Sequence, residues 1–265
     1  MPDDAALTET VLRRHDAEGV AWLTLNRPAA RNALSIALTQ ALDAELAAIA
    51  GDAAVKVVVI GGAGAAFCAG HDLRELRSHP DRDSYQEAFG LCSALMQRIV
   101  GLPKPVIARV HGVATAAGCQ LVASCDLAVS ADTARFATPG VNIGLFCSTP
   151  MVALSRAVGR KAAMEMLLTG DLIDAARARE LGLVNRVVPE AGLDAAVAAL
   201  AAQIAAKSPL TLAIGKEAFY RQVELPLADA YAYASEVMVR NMLARDAAEG
   251  IDAFLDKRAP VWSGT

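Results

Sequence analysis

Two loops rich in small residues carry the residue types that could support chemistry in this chain. The first, FCAGHDL, spans 67–73, and the second, HGVATAAGCQ, spans 111–120. Each follows a strand-like segment and leads into a predicted helix, whose N-terminus offers free N–H groups and a positive dipole end. Small side chains also let a ligand approach the backbone closely. If the loops face each other, they form a two-donor oxyanion hole; otherwise both are ordinary tight turns.

Few side chains near these loops could move protons or bind polar groups. Among four histidines, His71 stands out because it lies in the glycine-rich loop beside an acidic residue. Cys68 and Cys119 lie within the loops, and Thr138, Asn142, Cys147 and Ser148 follow further along the chain as other candidates. The five cysteines lie far apart without CxxC or CxxH spacing, which argues against a disulfide framework and a zinc site. No metal is therefore predicted, and the cysteines are interpreted as small buried apolar residues.

The chain has no sequence motif typical of nucleotide cofactors or of the common hydrolases. Gly62 and Gly64 form a GxG pair after a strand, but the sixth position of a dinucleotide-binding motif would be Phe67. The sequence contains no GxSxG, P-loop, HExxH or kinase motif. We therefore interpret the GxG pair as a strand-to-loop turn, and the sequence predicts no separate cofactor.

Strands and helices alternate along the first three quarters of the chain. Predicted strands cover 20–25, 55–60, 105–110, 127–130 and 184–188, with helices over 35–49, 83–100 and 172–181. Such alternation requires crossover connections and favours a mainly parallel α/β arrangement. Residues 193–257 form almost continuous helix, broken near Ser208-Pro209 and Leu225-Pro226. The predicted division is a core over 1–192 and a C-terminal helical region over 193–265, which could cover the core or pack on a neighbouring subunit.

Composition narrows the class of protein. The 265 residues are 54% hydrophobic but only 5% aromatic, so Ala, Val, Leu and Ile must build one sizeable core. A net charge of −4 without a basic stripe argues against a nucleic-acid partner. Apolar runs are shorter than a membrane span, and residues 1–14 lack the features of a targeting segment. We therefore expect a soluble cytoplasmic protein.

Longer stretches around the two loops resemble one known family. They are LNRP (25–28), RNAL (31–34), FCAGHDL (67–73), KPVIARVHG (104–112), AAGCQLVASCDLAVS (116–130), FATPGVNIGL (136–145), RAVGRKAAMEMLLTG (156–170), GLVN (182–185) and FLDKRAPVW (254–262). Over nearly its whole length the chain resembles the crotonase, or enoyl-CoA hydratase/isomerase, superfamily. The runs over 115–126 and 136–150 are nearest to one subgroup of it.

The resemblance implies an α/β fold and a substrate class. The fold is a crotonase-like spiral of ββα units with a C-terminal helical trimerisation region, assembled as a homotrimer or a dimer of trimers. The ligands are acyl-CoA thioesters, with CoA as part of the substrate. The N–H groups of His71 and Ala117 would form the oxyanion hole, and Asp72 would stabilise the loop of His71. The positions implied at the CoA end are Arg27, Arg31, Ala66, Ala69, Gly70, Asp72, Leu73 and Arg74.

The chain departs from the family at the two positions where hydratases carry glutamates. Position 120 is Gln and position 140 is Gly. An amide cannot exchange a proton as a carboxylate does, and a positioned acid or base contributes roughly 10²–10⁴-fold. We therefore do not expect efficient hydration, and Gly140 also argues against Δ3-Δ2 enoyl-CoA isomerisation. Glutamates installed at both positions are expected to raise hydration more than either change alone.

Three functions remain compatible with the sequence. The first is an acyl-CoA lyase or isomerase, nominally an enoyl-CoA hydratase, that acts through the two N–H groups. The second is a non-catalytic acyl-CoA-binding or regulatory protein. The third is an acyl-CoA decarboxylase, because the GHDL stretch over 70–73 resembles methylmalonyl-CoA decarboxylase, which carries Tyr where Cys147 falls here. Decarboxylation needs enolate stabilisation but no pair of carboxylates that activates water.

Overall fold

The computed structural model describes residues 10–265. The strands are β1 Leu12–Ala17, β2 Val20–Leu25, β3 Val57–Gly62, β4 Ala66–Cys68, β5 Val106–Val110, β6 Val113–Thr115, β7 Leu127–Ala131, β8 Arg135–Ala137, β9 Ile173–Asp174 and β10 Arg186–Val188. The helices are α1 Ile36–Gly51, α2 Leu73–Ser78, α3 Arg82–Gly101, α4 Ala117–Ser124, α5 Pro150–Ala157, α6 Arg160–Thr169, α7 Ala175–Leu181, α8 Leu193–Ala205, α9 Pro209–Gln222, α10 Leu227–Met242 and α11 Arg245–Leu255.

The strands form two sheets, and the chain passes alternately between them. The first sheet has the order β1-β2-β3-β5-β7-β10, and the second has the order β4-β6-β8-β9. Each of β3, β5 and β7 is followed at once by a strand of the second sheet, and helices return the chain to the first. Pairing is parallel except in the β1–β2 hairpin and between β8 and β9. This is a spiral of ββα units.

Alternating side chains of the first sheet fill two cores. On β3, Val58 and Ile60 belong to the larger core, which lies under helices such as α1, α3 and α4. Val57 and Val59 face the other way and pack with residues of α8. The sheet is therefore buried on both faces, as a parallel sheet requires. Ser35 accepts a hydrogen bond from Leu38 N at 3.2 Å, which confirms the predicted start of α1.

The helices after α8 extend away from the sheets. Helix α8 covers the first sheet, although the sequence division placed it with the C-terminal helices. Helix α9 buries none of its side chains fully, and α10 buries only Ala230. Lys216 on α9 donates to Asp126, at 2.7 Å, and to Ile99 O, at 2.8 Å. The attachment of α9 to the body therefore includes a partly buried ion pair.

The structure agrees with several of the predicted strands and contains further strands that were not predicted. Strands over 20–25, 57–62, 106–110 and 127–131 agree with the prediction to within a few residues, and their parallel pairing is confirmed. The strands of the second sheet escaped prediction because two or three residues are too few to show a periodicity. The helix predicted over 172–181 begins only at Ala175, after β9. The N-terminal segment 1–14 lies mostly outside the described residues.

Among residues 10–265, no single helix has the length and apolar composition of a membrane span, although the segments Glu190–Ala205 and Pro209–Gln222 together reach it across a bend of 101°. No group of three or more His, Cys, Asp or Glu side chains in that part of the chain could hold a metal ion.

Candidate active site

The two predicted loops meet because the strands before them are neighbours. Strands β4 and β6 pair in parallel, so their carboxyl ends open at the same edge of the second sheet. A methyl group on Gly70 would lie 2.9 Å from Ala116 Cβ and 3.3 Å from Ala117 N. At Gly118 a methyl group would lie 2.1 Å from Cys68 O. Glycine at these two positions therefore allows the backbones of the two loops to touch.

Each loop presents one backbone N–H group without a partner among residues 10–265. Leu34 N donates to Gly70 O at 2.7 Å, and Asp72 N donates to Leu34 O at 3.1 Å. These two bonds bridge Leu34 to the residues before and after His71, and neither of them uses the His71 N–H. Ala117 is the first residue of α4, where an N–H has no partner within the helix. Ala116, which precedes it, provides no side-chain cap. The two unpaired donors suit an oxygen that carries negative charge.

A backbone conformation with positive φ lies directly before each donor, and it is strained at Ala116. Ala116 has φ +50° and ψ −118°, a conformation that costs a residue with a Cβ on the order of 1–3 kcal/mol. Its N–H donates to Ala137 O at 2.9 Å, which holds it against β8. Gly70 has φ +96° directly before His71. Strain of this kind persists where the surrounding structure fixes it, and it is frequent at functional sites.

An ion pair fixes the loop that carries His71. Asp72 caps α2 by accepting from Arg74 N at 3.1 Å and Glu75 N at 3.3 Å. Arg27 donates to Asp72 at 2.9 Å and to Ala33 O at 2.6 Å. Burial raises the pKa of Asp72, but the hydrogen bonds from Arg27 and Glu75 outweigh it, and the net pKa lies below its usual range. No pattern in the sequence predicts this pairing across 45 positions.

His71 contributes a neutral ring as well as its backbone. The ring packs edge to face on Phe89 with 5.2 Å between centroids. Burial lowers the pKa of His71, so the imidazole is neutral near pH 7. Its Nε2 is buried without a hydrogen-bond partner among residues 10–265.

The two positions of the missing glutamates have different surroundings. Gln120 is 4% exposed, and its Oε1 finds no partner among residues 10–265. A methyl group on Gly140 would lie 2.7 Å from Leu145 O and 2.9 Å from Cys147 Sγ. The chain after Gly140 thus folds back into the space that a side chain needs. A glutamate at position 140 would require this segment to move, which argues against the expectation that glutamates at 120 and 140 act together.

The cysteines beside the site are buried and free. All five are unpaired thiols, as the sequence predicted. Burial raises the pKa of Cys68 and Cys119 to about 12. Burial also raises the pKa of Cys147, although the Gly140 N–H bonded to its sulfur opposes this. None of these thiols is a ready proton donor or nucleophile at neutral pH.

The residues predicted at the CoA end lie in the segment 66–74 or, in the case of Arg27 and Arg31, form hydrogen bonds with it. Asn32 holds this region through bonds to Ala63 O at 2.8 Å and Ala66 O at 2.7 Å. Arg31 and Arg74 are exposed, and neither guanidinium has a partner within residues 10–265. Leu73 is also exposed, whereas Ala66 is buried. Ala69 and Gly70 follow Ala66 in the chain, directly before His71. Arg27, by contrast, is occupied by Asp72.

A cavity of about 540 Å³ lies on the face of the first sheet that α8 covers, away from the two loops. Trp22, Gly61, Arg109 and Asp194 are among its lining residues. Arg109 is ion-paired with Asp194 across it. None of the predicted site residues lines this cavity, so it is not part of the candidate site.

Comparison with known proteins places the chain in a family. The family model described as Enoyl-CoA hydratase/isomerase matches residues 15–265, and the chain belongs to this family. It is 49% identical over 254 residues to "Enoyl-CoA hydratase domain-containing protein 3, mitochondrial" of Xenopus laevis, covering 96% of this chain and 86% of the relative. The predicted superfamily and its subgroup, the domain-containing protein 3 type, are confirmed.

Solved structures agree with this assignment. A crystal structure of enoyl-CoA hydratase from Mycobacterium smegmatis matches with a TM-score of 0.94 and 54% identity, covering 96% of this chain and 99% of that one. The human enoyl Coenzyme A hydratase domain-containing protein 3 matches with a TM-score of 0.93 and 48% identity, covering 95% and 100%. The predicted crotonase fold is confirmed.

The predicted cytoplasmic location is wrong by the same comparison. Relatives that are 45–49% identical, from frog, rat, mouse, human and zebrafish, are named as mitochondrial proteins. The absence of a recognisable targeting pattern and the spacing of free cysteines were the basis of that prediction. Neither feature distinguishes the cytoplasm from other reducing compartments.

Proposed function

We propose that this chain binds acyl-CoA thioesters and stabilises negative charge on the thioester oxygen between the N–H groups of His71 and Ala117. The observation that carries this proposal is the pair of unpartnered donors on two loops in contact. Membership of the Enoyl-CoA hydratase/isomerase family supports the choice of acyl-CoA as the ligand.

The chemistry follows from what a thioester can do in such a site. When the α-carbon loses a proton, or the β-carbon of an enoyl group is attacked, charge moves to the carbonyl oxygen as an enolate. Preorganised N–H donors stabilise that oxygen, and the loss of one such donor costs roughly 10²–10³-fold in kcat. The two donors therefore support lyase or isomerase chemistry of enolate type.

Hydration of enoyl-CoA is expected to be slow. The Gln120 amide cannot take up and release a proton as a carboxylate does, and a side chain at position 140 would clash with Leu145 O and Cys147 Sγ. Acyl-CoA binding without turnover is the alternative that these two positions favour. CoA enters as part of the substrate, with Arg31 and Arg74 on its phosphates and the Ala66–Ala69 loop at its adenine end.

The C-terminal helices support a further part of the proposal, a homotrimer or a dimer of trimers. Helices α9–α11 expose large apolar side chains, among them Phe219, Leu227, Tyr231, Met238, Leu243 and Phe254. Exposed apolar patches of this kind are typical of protein interfaces. Sedimentation equilibrium of the purified chain is expected to give three or six times the monomer mass, and a monomer at micromolar concentration contradicts this part.

The first test of the thioester site compares two ligands on the wild-type protein. We expect butyryl-CoA to bind about 5–150-fold more tightly than S-butyl-CoA, a thioether without the carbonyl, because two hydrogen bonds of about 0.5–1.5 kcal/mol each are lost. Equal Kd values in calorimetry contradict the oxyanion hole. Ala117→Pro, which removes one of the two donors, should reduce this difference to about 2–12-fold in protein whose circular dichroism is unchanged.

Turnover is measured separately from binding. Loss of enone absorbance is followed with trans-2-enoyl-CoAs of several chain lengths. A rate above background that disappears in Ala117→Pro supports an enzyme. Tight acyl-CoA binding with no product by mass spectrometry supports the non-catalytic alternative.

A further inference from the structure

Two consecutive glycines end β3, and packing requires only one of them. A methyl group on Gly62 would lie 2.6 Å from Phe67 O and 2.8 Å from Asn32 Nδ2, so that face of the sheet has no room for a side chain. A methyl group on Gly61 would have its nearest neighbour, Arg109 Cδ, at 3.5 Å, which is ordinary contact. Glycine weakens a strand interior, and it often marks a place where a ligand approaches the backbone. Gly61 therefore keeps open a space that the fold does not need.

That space belongs to the cavity of about 540 Å³ beside α8. Its lining residues Thr24, Gly61, Gly62 and Arg109 lie within the last two residues of β2, β3 and β5. These strands are neighbours and run parallel, and open α/β sheets commonly bind ligands at the carboxyl ends of their strands. The volume also falls within the range of about 300–1,000 Å³ that is typical of small-molecule sites.

The cavity is a slot between the sheet and α8. Thr24 pairs with Gly61 across β2 and β3, and Arg109 lies on the other side of Gly61, on β5. Because neighbouring strands lie about 4.8 Å apart, the backbones of Thr24 and Arg109 are about 10 Å apart, with no side chain on Gly61 between them. Trp22, on the same face of β2 as Thr24, and alanines of α8 supply apolar walls. A flat ring can lie over Gly61 beside the Trp22 indole, a contact that aromatic rings favour.

Arg109 supplies hydrogen-bond donors that the fold leaves unused. Its Nε donates to Asp194, and its two terminal nitrogens have no hydrogen-bond partner among residues 10–265. Asp194 is 76% exposed at its side chain, and an exposed ion pair of this kind is weak. No other charged side chain in that part of the chain lines the cavity. A guanidinium with free terminal nitrogens suits a carboxylate, which accepts two parallel hydrogen bonds from it.

We propose that this cavity is a second binding site and that its ligand is a small aromatic carboxylate. The ring lies over Gly61 against Trp22, and the carboxylate accepts from the terminal nitrogens of Arg109. Asp194 remains on the Nε side of the guanidinium, where its negative charge weakens the binding of a second carboxylate. The two N–H donors of the thioester site take no part, so this inference does not rest on the proposed function.

The test uses 2-naphthoate and its neutral counterpart 2-naphthamide as probes. In protein labelled with 5-fluorotryptophan, Trp22 and Trp262 give the two ¹⁹F signals, which Trp262→Phe assigns. We expect 2-naphthoate to shift the Trp22 signal and to leave that of Trp262 in place. In calorimetry 2-naphthoate should bind at least about 10-fold more tightly than 2-naphthamide, because hydrogen bonds between two charged groups are the stronger ones. An unmoved Trp22 signal at millimolar 2-naphthoate, or equal Kd values for the two probes, overturns the proposal.

Two charge variants test the recognition of the carboxylate. Arg109→Gln should bring the two Kd values to within about twofold of each other, since the charged donor is lost. Arg177→Gln, which removes an exposed arginine paired with Glu180, is the matched control and should leave the ratio unchanged. Asp194→Asn should tighten 2-naphthoate several-fold and leave 2-naphthamide unchanged, because a like charge is removed. Weaker binding of 2-naphthoate to Asp194→Asn would contradict a carboxylate at this place.

Two further measurements test where the ligand binds. Gly61→Val fills the slot with a residue that strands favour, so it should remove the binding of both probes without lowering Tm. Unchanged binding to folded Gly61→Val overturns the location. Saturating butyryl-CoA should leave the Kd of 2-naphthoate unchanged, and competition between the two would place 2-naphthoate in the thioester site and overturn the second site.

Discussion

Arg27 and Asp72 join the loop before α1 to the loop that carries His71 through an ion pair of 2.9 Å. The same arginine donates to Ala33 O. The next residue, Leu34, forms backbone hydrogen bonds with Gly70 and Asp72, the residues before and after His71. The direction of the His71 N–H therefore depends on Arg27, which contacts no part of the oxyanion hole itself. Although Arg27 was predicted at the CoA phosphates, the structure gives it a partner within the protein.

Asp72→Asn removes the charge of this pair and keeps a side chain that can still cap α2. We expect the free energy of unfolding at pH 7 to fall by about 1–2 kcal/mol, since a hydrogen bond to a charged group is lost. The preference for butyryl-CoA over S-butyl-CoA should fall as well, because His71 N–H loses its support. Urea titrations and calorimetry measure the two effects, and a loss of stability with an unchanged preference would contradict the positioning role.

The stability difference between wild type and Asp72→Asn should depend on pH. The folded pKa of Asp72 lies below the unfolded value of about 3.9, so the folded state favours the ionised form. Its contribution to stability is present above that unfolded pKa and is lost as the pH falls through the folded pKa. The difference should therefore be constant above about pH 5 and shrink below about pH 4. A difference that grows toward low pH would contradict the assigned sign.

Gly70→Ala tests the contact between the two loops. The new methyl group would lie 2.9 Å from Ala116 Cβ, and φ +96° is unfavourable for alanine. We expect a loss of about 1–3 kcal/mol in the free energy of unfolding and weaker binding of butyryl-CoA. Gly90→Ala, exposed within α3 with nothing within 4 Å, is the matched control and should stabilise by about 0.5–1 kcal/mol. Equal thermal shifts in both variants would show that the loops tolerate the added methyl.

Lys216→Met tests the attachment of α9 to the body. Lys216 is 7% exposed at its side chain, and Asp126 also accepts from Val106 N and Tyr220. Removing one partner of a fully buried pair costs about 3–5 kcal/mol because a charge remains unpaired, and for this partly buried pair we expect a smaller loss. The double variant Lys216→Met with Asp126→Asn should be more stable than Lys216→Met alone. Denaturant unfolding measures both, and a double variant less stable than the single would contradict a charge-driven cost.

The sequence predicted the candidate site better than the contacts that hold it. Small residues after strand-like segments indicated two loops that could face each other, and the family resemblance then assigned His71 and Ala117 to them. Partners far apart in the chain, such as Arg27 with Asp72 or Asp126 with Lys216, leave no periodic signal, so they appear only in three dimensions. The short strands β4 and β6 escaped prediction for a related reason, since their stability comes from neighbouring strands more than from their own residues.

Gly140→Glu is the substitution on which sequence and structure disagree most directly. By family pattern alone it restores one of the two missing carboxylates. In this backbone the Cβ would lie 2.7 Å from Leu145 O, so the turn over 139–143 or the segment after it must shift. We expect a destabilisation of about 1–3 kcal/mol, as for an overpacked core.

The clash at position 140 also affects the double variant that carries glutamate at positions 120 and 140. Because the Gly140→Glu carboxylate cannot lie where a hydratase would hold it, no hydration is expected from Gly140→Glu alone. Gln120→Glu combined with Gly140→Glu should hydrate crotonyl-CoA no faster than Gln120→Glu does by itself. The loss of enone absorbance measures this, with circular dichroism to verify folding. A rate for the double variant well above that of Gln120→Glu would show that the segment 145–147 yields, and that the site still has the shape of a hydratase.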